Sequence, residues 1–194
     1  MAINTIIVLY TPLQLLSHMY KSELRQHIRM MKRQFTSEQL CELSLPIISR
    51  LLSNPAMAKA QTILMYYSLD DEVNTHEVLN TLVKQGKTIL LPAVINEQDM
   101  ELHRYTSPTD LQGGFFNIME PVGDIFTDYE HIDVAVVPGM SFDTRCNRLG
   151  RGKGYYDRFL PKLGNAYKIG ICFDFQKLPG IPADEYDIRM DIVI

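Results

Sequence analysis

The chain has 194 residues, 46% of them hydrophobic, and a formal net charge of −4. That length suits one well-filled core and is short for two, so we expect a single compact domain. The acidic balance argues against a polyanion-binding protein. Three widely spaced cysteines without a CxxC pair argue against a disulfide framework or a zinc knuckle. We therefore expect a cytoplasmic protein without a nucleic-acid partner.

Residues 1–18 begin with an apolar run that superficially resembles a signal peptide. No basic residue precedes the run, and polar residues interrupt it. The run is also too short to span a bilayer, so no membrane partner is expected. Because Met19 stands just before a strongly helical stretch, we expect residues 1–18 to be an N-terminal extension and residues 19–194 to be one domain.

Two helices are predicted at the front of this domain. Residues 20–35 contain good helix formers and many basic residues, which favour the first helix. Thr36 and Gln39 then have the spacing of a capping box, which predicts a second helix continuing over residues 40–54.

A β-α-β unit follows. Residues 62–67 are a β-rich apolar run, and residues 74–86 predict a helix with Asn74 as N-cap, Glu77 at the capping-box position and a stop at Gly86. Another apolar run then predicts a buried strand over residues 87–94. This order implies parallel strands joined by a right-handed crossover.

The second half of the chain continues to alternate. Residues 113–124 are rich in Gly and Pro and predict a surface loop, while Pro161 and Gly164 shorten the helix predicted over 154–163. Strands are predicted at residues 100–107, 132–139, 167–173 and 191–194. The fold that accounts for this order is a three-layer α/β/α sandwich with a mostly parallel, Rossmann-like central sheet and N-terminal helices.

The most distinctive stretch is "NRLGRGKGYYDRF", residues 147–159. It leaves the carboxyl end of a predicted parallel strand and enters a helix N-terminus, where open α/β sheets bind anions. Glycines at 150, 152 and 154 allow the backbone amides to turn inward, and Arg148, Arg151 and Lys153 add positive charge. Phosphate is the ligand that this arrangement suits.

Two familiar phosphate motifs do not fit this loop. The GxxxxGK[ST] pattern is absent, and GxGxxG fails because Tyr155 stands at the third glycine position. A solvated glycine-rich turn is an alternative. A nucleic-acid site is another, although one basic loop is a small electrostatic footprint.

Four stretches together resemble the 5-formyltetrahydrofolate cyclo-ligase family: "KSELRQHIR" (21–29), "YYSLDDEVNT" (66–75), "PGMSFDTRCNRLGRGKGYYDRFL" (138–160) and "IPADEYDIRMD" (181–191). The resemblance covers the chain from about residue 20 to its end. It implies that ATP and Mg²⁺ support closure of 5-formyltetrahydrofolate to 5,10-methenyltetrahydrofolate, with release of ADP and phosphate. Its partners would then be small molecules, and we expect a monomer or a weak dimer.

The resemblance also implies roles for individual residues. Arg151 and Lys153 would be the catalytic cations, and Asp157 and Asp191 would bind Mg²⁺. The implied ATP-binding residues are Lys21, Ser22, Glu23, Leu24, Arg25, Arg148, Leu149, Gly150, Arg151, Gly152, Lys153, Gly154, Tyr155 and Tyr156. The implied substrate-binding residues are Arg25, Tyr67, Glu72, Arg151, Gly152, Lys153, Gly154 and Tyr155.

Simpler interpretations of these residues stay open. Lys21 and Arg25 lie four apart and could form a solvated helix face, while Asp157 could only favour a helix start. Tyr155 and Tyr156 could pack in the core or stack on a ligand ring.

Three further positions carry expectations. The acidic turn with Asp184, Glu185 and Asp187 is expected to be solvated, and the Phe115–Phe116 pair could cover a ligand ring or join the core. The family usually has glycine where this chain has Cys146. If that position needs a positive φ, a cysteine there costs about 1 kcal/mol or more.

Two other functions use the same loop. A nucleotide- or phosphosugar-binding α/β protein without folate ligase activity would bind ATP and ignore folate. A small RNA-binding protein would need more basic surface, and its affinity would fall steeply with salt.

Overall fold

The structure is a computed structural model that describes residues 19–113 and 119–194. The predictions for residues 1–18 and for Phe115 and Phe116 lie outside the described residues. None of the described helices is both long and apolar enough to cross a membrane.

The described residues form helices and strands in alternating order. The helices are α1 (Lys21–Lys32), α2 (Ser37–Leu52), α3 (Pro55–Lys59), α4 (His76–Lys84) and α5 (Tyr155–Phe159). The strands are β1 (Thr62–Leu64), β2 (Thr88–Val94), β3 (Met100–Tyr105), β4 (Leu111–Gly113), β5 (Met119–Pro121), β6 (Ile125–Phe126), β7 (Val134–Pro138), β8 (Ser141–Asp143), β9 (Arg148–Leu149), β10 (Tyr167–Ile171), β11 (Lys177–Leu178) and β12 (Ile192–Val193).

The central sheet of seven strands has the order β12-β10-β7-β1-β2-β3-β6. Strands β12, β10, β7, β1 and β2 pair in parallel, while β3 and β6 pair antiparallel at one edge. This is the mixed α/β fold with a large, mostly parallel sheet that the sequence predicts. Strand β1 has β2 on one side and β7 on the other. The chain therefore leaves β1 and β7 in opposite lateral directions, which makes their carboxyl ends a topological switch point.

Apolar side chains alternate between the two faces of this sheet. Ile63 and Val134 join one buried cluster with residues of α2 and α4, whereas Leu64 and Ala135 join another with Phe159 of α5. This alternation is what successive residues of a strand buried on both faces produce. Packing within these two clusters fixes the position of the sheet relative to α2, α4 and α5.

Helix termini follow the predicted chemistry with one correction. The hydroxyl of Thr36 accepts a hydrogen bond from the Gln39 amide, which confirms the capping box. The prediction of Asn74 as N-cap is wrong by one residue, because Thr75 takes that position. Its buried hydroxyl donates to the Tyr66 carbonyl instead of capping the helix, and the Asn74 side chain accepts from the His76 amide.

Two small sheets were not predicted. Part of the predicted loop at 113–124 pairs as the β4–β5 ribbon, because Gly and Pro composition does not exclude a short antiparallel pair. Strands β8, β9 and β11 form a separate three-stranded sheet. These strands contain only two or three residues each, which is too short for a period-2 pattern to be recognised.

Candidate active site

The small sheet carries the basic glycine loop. Strand β8 begins three residues after β7 ends, and β9 leads into residues 150–154. The turn between β8 and β9 is held by Asp143, whose carboxylate accepts hydrogen bonds from the amides of Arg145, Asn147 and Ile181. Burial opposes ionisation of Asp143, but a further hydrogen bond from the Asn147 side chain, together with these amides, outweighs it and holds the pKa of Asp143 below its ordinary value.

Backbone geometry explains the glycines and the odd cysteine. Gly152 and Gly154 have φ values of 107° and 72°, a region that favours glycine. Gly150 has no positive φ, but a Cβ there would lie 2.9 Å from Nη1 of Arg148. Cys146 has φ 62° and is the one non-glycine residue with a positive φ among those described. The condition under which a cysteine at this position is strained, a positive φ, is therefore met.

Helix α1 packs on the small sheet and reaches the loop. Leu24 and Ile28 are fully buried in a cluster with Leu149 of β9. Arg25, one residue from this buried stripe, donates from Nε to the Gly150 carbonyl at 2.8 Å. The front helix and the loop, which the family resemblance places at one site, are therefore in direct contact.

Other residues of the predicted helix segment have local roles. Glu23 accepts from the Tyr20 amide at the helix start, and Ser22 is exposed. Lys21 donates to Asp184 at 2.7 Å and also to Asp187. The expectation that the acidic turn is merely solvated is wrong for Asp187, because the docking of α1 brings a lysine to it and leaves it half-buried.

Arg148 is a buried cation at the base of the loop. Its Nη2 donates to Asp157 at 2.8 Å, and its Nη1 donates to the Pro138 carbonyl at 3.3 Å. Its guanidinium lies 5.4 Å from the ring centre of Tyr156. The Arg148 Nε is buried without a hydrogen-bond partner in the described part of the chain. A buried unsatisfied donor is costly, so a ligand that supplies an acceptor near this group is favoured.

Arg151 crosses the switch point to the loop that follows β1. Its Nη2 donates to Asp71 at 2.6 Å and to Glu72 at 2.8 Å, and its Nε donates to the same Glu72 oxygen at 3.1 Å. Lys32, at the end of α1, donates to the other oxygen of Asp71 at 3.2 Å. Glu72 and Arg151, 79 positions apart in the chain, are thus neighbours.

The charges in this cluster alter one another. Burial lowers the pKa of Lys32, and the neighbouring Arg151 adds to that effect while Asp71 opposes it. Burial opposes ionisation of Asp71, but the cations of Lys32 and Arg151 outweigh it and hold its pKa below the ordinary value. Neither Lys32 nor Asp71 was predicted from the sequence. Two features could have indicated them: Lys32 occupies a helix position on the buried face, and Asp71 is a second acidic residue next to Glu72.

Two cavities adjoin the loop. The larger, with a volume of about 660 Å³, lies between α1, the loop and residues 184–188. The smaller, of about 170 Å³, lies between the loop, Glu72 and the end of β2. Four residues line both cavities: Arg148, Gly150, Gly154 and Asp157. The loop is therefore a shared wall between two binding spaces.

The predicted aromatic residues occupy different places. Tyr155 and Tyr156 line the smaller cavity. Tyr155 donates its hydroxyl proton to the Asn96 carbonyl at 3.0 Å, and burial strongly raises the pKa of Tyr156. Tyr67, at the carboxyl end of β1, stacks on His76 with ring centres 3.9 Å apart and does not line either cavity.

The two predicted magnesium ligands have different surroundings. Asp157 lines both cavities, at the carboxyl-end side of the sheet. Asp191 immediately precedes β12, at the amino end of the parallel strands, and accepts from the Lys168 amide at 2.7 Å. The described residues contain no group of three or more acidic, His or Cys side chains arranged to hold a metal ion.

An open α/β sheet with a basic glycine loop at its switch point, and two cavities meeting at that loop, is the arrangement expected of a phosphate-binding α/β protein with room for a second ligand. Comparison with known proteins gives the family. The family model described as 5-formyltetrahydrofolate cyclo-ligase matches residues 17–194. The chain belongs to this family, whose members are ATP-dependent ligases.

Individual relatives agree. A 5-formyltetrahydrofolate cyclo-ligase of Mus musculus is 30% identical, over 90% of this chain and 92% of the relative. The Escherichia coli K12 enzyme of that name is 29% identical, over 86% and 95%. The solved structure of Aquifex aeolicus 5,10-methenyltetrahydrofolate synthetase has a TM-score of 0.78 and 36% identity, and covers 90% of this chain and 89% of that one.

Proposed function

We propose that this chain catalyses the ATP-dependent cyclisation of 5-formyltetrahydrofolate to 5,10-methenyltetrahydrofolate, with release of ADP and phosphate. The observation that carries the proposal is the wall of Arg148, Gly150, Gly154 and Asp157 that borders both cavities. Two ligands bound on either side of this wall place a phosphoryl group and its acceptor beside the same cations.

The chemistry requires those cations. A formamide oxygen is a poor leaving group, so the γ-phosphoryl of ATP is transferred to it. The neighbouring amine nitrogen then attacks the activated carbon, the C–O bond breaks and phosphate departs. Phosphoryl transfer depends on positioning and charge stabilisation more than on a protein nucleophile. Arg151 and Lys153, which line the smaller cavity, are proposed to stabilise the transferring group.

The larger cavity is assigned to ATP. Lys21 and Arg25 of α1 line it opposite the loop, together with the buried Arg148. Residues 148–156 would present amides and cations to the phosphates, as would the predicted segment 21–25 at the other wall. Leu24 and Leu149 contribute to this site through packing, since both are buried in the cluster that fixes α1 on the loop.

The smaller cavity is assigned to the ring system of the reduced folate. Apolar side chains of Pro92, Val94 and Met100 line it and suit a flat ring, and the Glu72 carboxylate offers an acceptor to ring N–H groups. Tyr155 borders the same space. Tyr67 lies at the start of the loop that follows β1, and its role in folate binding stays a prediction.

Magnesium fits one of its two predicted positions. Mg²⁺ in nucleotide sites is held by one or two carboxylates together with phosphate oxygens and water, and Asp157 offers a partly exposed carboxylate on the shared wall. Asp191 lines neither cavity, so we assign the protein ligand to Asp157. When bound, the ion would neutralise charge on the phosphates.

Nucleotide binding without ligase activity was the alternative. It accounts for the larger cavity but gives no role to the smaller one or to Glu72.

Product formation tests the proposal directly. The methenyl chromophore is followed by its absorbance after purified protein is mixed with 5-formyltetrahydrofolate, ATP and Mg²⁺. We expect an ATP-dependent band that is lost in Arg151→Ala and Lys153→Ala. Lys84→Ala is the matched control, because Lys84 is an exposed lysine at the end of α4, at the amino-end side of the sheet. A folded wild-type protein that binds ATP but yields no band would refute the proposal.

The remaining expectations are proposed with the same function. Residues 19–194 would form one three-layer α/β/α domain, supported by the separate apolar clusters on the two sheet faces. The partners would be small molecules only, with the protein a cytoplasmic monomer or weak dimer.

A further inference from the structure

Lys32 is buried although it ends a helix. Its side chain is 4% exposed, and its ammonium group donates to Asp71 at 3.2 Å. A buried charge is retained at a cost unless its partner is well placed. Neither Lys32 nor Asp71 contacts a ligand in the proposed phosphoryl transfer, yet the pair lies directly beside Arg151.

Asp71 links the buried lysine to Arg151. One carboxylate oxygen accepts from Lys32 and the other accepts from Nη2 of Arg151 at 2.6 Å. Lys32, on helix α1, therefore holds one oxygen of Asp71, and the other oxygen accepts from the long, flexible side chain of Arg151. Because Gly150 and Gly152 flank Arg151, the local backbone does little to restrict the arginine, and side-chain contacts must orient it.

The contacts of Arg151 use one edge of its guanidinium. Nε and Nη2 point to Asp71 and Glu72, whereas Nη1 makes no hydrogen bond within the described residues. Arginine has five N–H donors in a fixed planar arrangement, so fixing one edge also fixes the direction of the others. The donors left over are available to an anion.

We propose that Lys32 and Asp71 are positioning residues that hold the guanidinium of Arg151 ready for the transferring phosphoryl group. The inference rests on the proposed function. Lys32 fixes Asp71, Asp71 and Glu72 fix the Nε–Nη2 edge of Arg151, and the Nη1 donors meet the phosphoryl oxygens. Preorganised donors aimed at developing charge are a major source of rate enhancement, and a misplacement of about 1 Å can cost on the order of 100-fold.

The test compares Lys32→Met, Asp71→Asn and the conservative Lys32→Arg. Methionine removes the buried charge but keeps an apolar chain of similar length, and Asp71, whose side chain is 39% exposed, keeps Arg151 as its ionic partner. We expect kcat to fall about 10- to 100-fold in Lys32→Met and Asp71→Asn, with KM for the folate within about twofold, because the lost interaction serves the transition state. Lys32→Arg should recover most of the rate.

Lys87→Met is the control for a lysine with a purely structural contact. Lys87 donates to the backbone carbonyls of Ala58 and Ala60, outside the two cavities. We expect it to alter stability without the kcat loss. A folded Lys32→Met protein with the kcat of the wild type would overturn the inference.

A measurement independent of activity separates this inference from the proposed function. The Nε–H signal of Arg151 in the NMR spectrum, assigned by its loss in Arg151→Lys, reports how firmly the guanidinium is held. We expect its exchange with solvent to accelerate at least tenfold in Lys32→Met and Asp71→Asn. If the wild type forms no product, the proposed function fails and this exchange alone decides the positioning. Unchanged exchange in both variants would refute it.

Discussion

The ring of Phe142 lies between two glycines, and this packing gives a sharp stability prediction. A Cβ on Gly170 would lie 2.5 Å from Cε1 of Phe142, and one on Gly139 would lie 2.7 Å from Cε2. Phe142 is fully buried, so its ring cannot move into solvent. Alanine at residue 170 must therefore displace the ring or bend β10.

The expected cost of Gly170→Ala follows from two opposing effects. Overpacking a core costs about 1–3 kcal/mol, while replacing glycine at an ordinary φ regains about 0.4–1 kcal/mol through the unfolded state. The net loss is about 1–2 kcal/mol. For a chain of this size it corresponds to a fall in Tm of about 2–8 °C.

Urea and thermal unfolding of Gly170→Ala measure this loss. Gly180→Ala is the control, because a Cβ there meets no atom within 4 Å, and it should stay within about 0.5 kcal/mol of the wild type. In the double variant Gly170→Ala/Phe142→Leu the smaller side chain relieves the clash, so its loss should be less than the sum of the two single losses. An unchanged stability of Gly170→Ala, or strict additivity, would refute the packing argument.

Three further predictions concern other parts of the chain. Thr36→Ala removes the cap of α2 and should lower the free energy of unfolding by about 1 kcal/mol, measured by urea unfolding, with no change in kcat. The pKa of Asp71 is depressed because neighbouring cations outweigh burial, so Asp71 adds stability above its unfolded-state pKa of about 4 and loses it as the pH falls further. The urea midpoint of the wild type should therefore fall more steeply below pH 4 than that of Asp71→Asn. Burial raises the pKa of Cys172 to about 12, so a maleimide at pH 7.5 should label the exposed Cys41 and leave Cys172 unlabelled, as peptide mass spectrometry would show. Labelling of Cys172 in the folded protein would contradict its burial.

Local signals predicted most of the fold. The Thr36–Gln39 box, the stop at Gly86 and the apolar runs of the central strands are encoded within a few neighbouring residues, and each is confirmed. The strand β8 and the ribbon β4–β5 escaped prediction because two- or three-residue strands exist only through their partners. The cap at Thr75 was missed for a related reason, since its hydroxyl is used by the buried loop around it.

For the site, the sequence determined the loop, its glycines and its cations, because backbone freedom and charge are properties of adjacent residues. The sequence left open whether Cys146 adopts a positive φ, and the folded backbone shows that it does. Only the tertiary structure decided which side chains meet that loop. The switch point between β1 and β7 brings Glu72 and Asp71 to Arg151, and the packing of α1 adds Lys32. The strand order also places Asp191 at the amino end of β12. Contacts between distant segments depend on the strand order and on the packing of whole elements, which no short stretch of residues specifies.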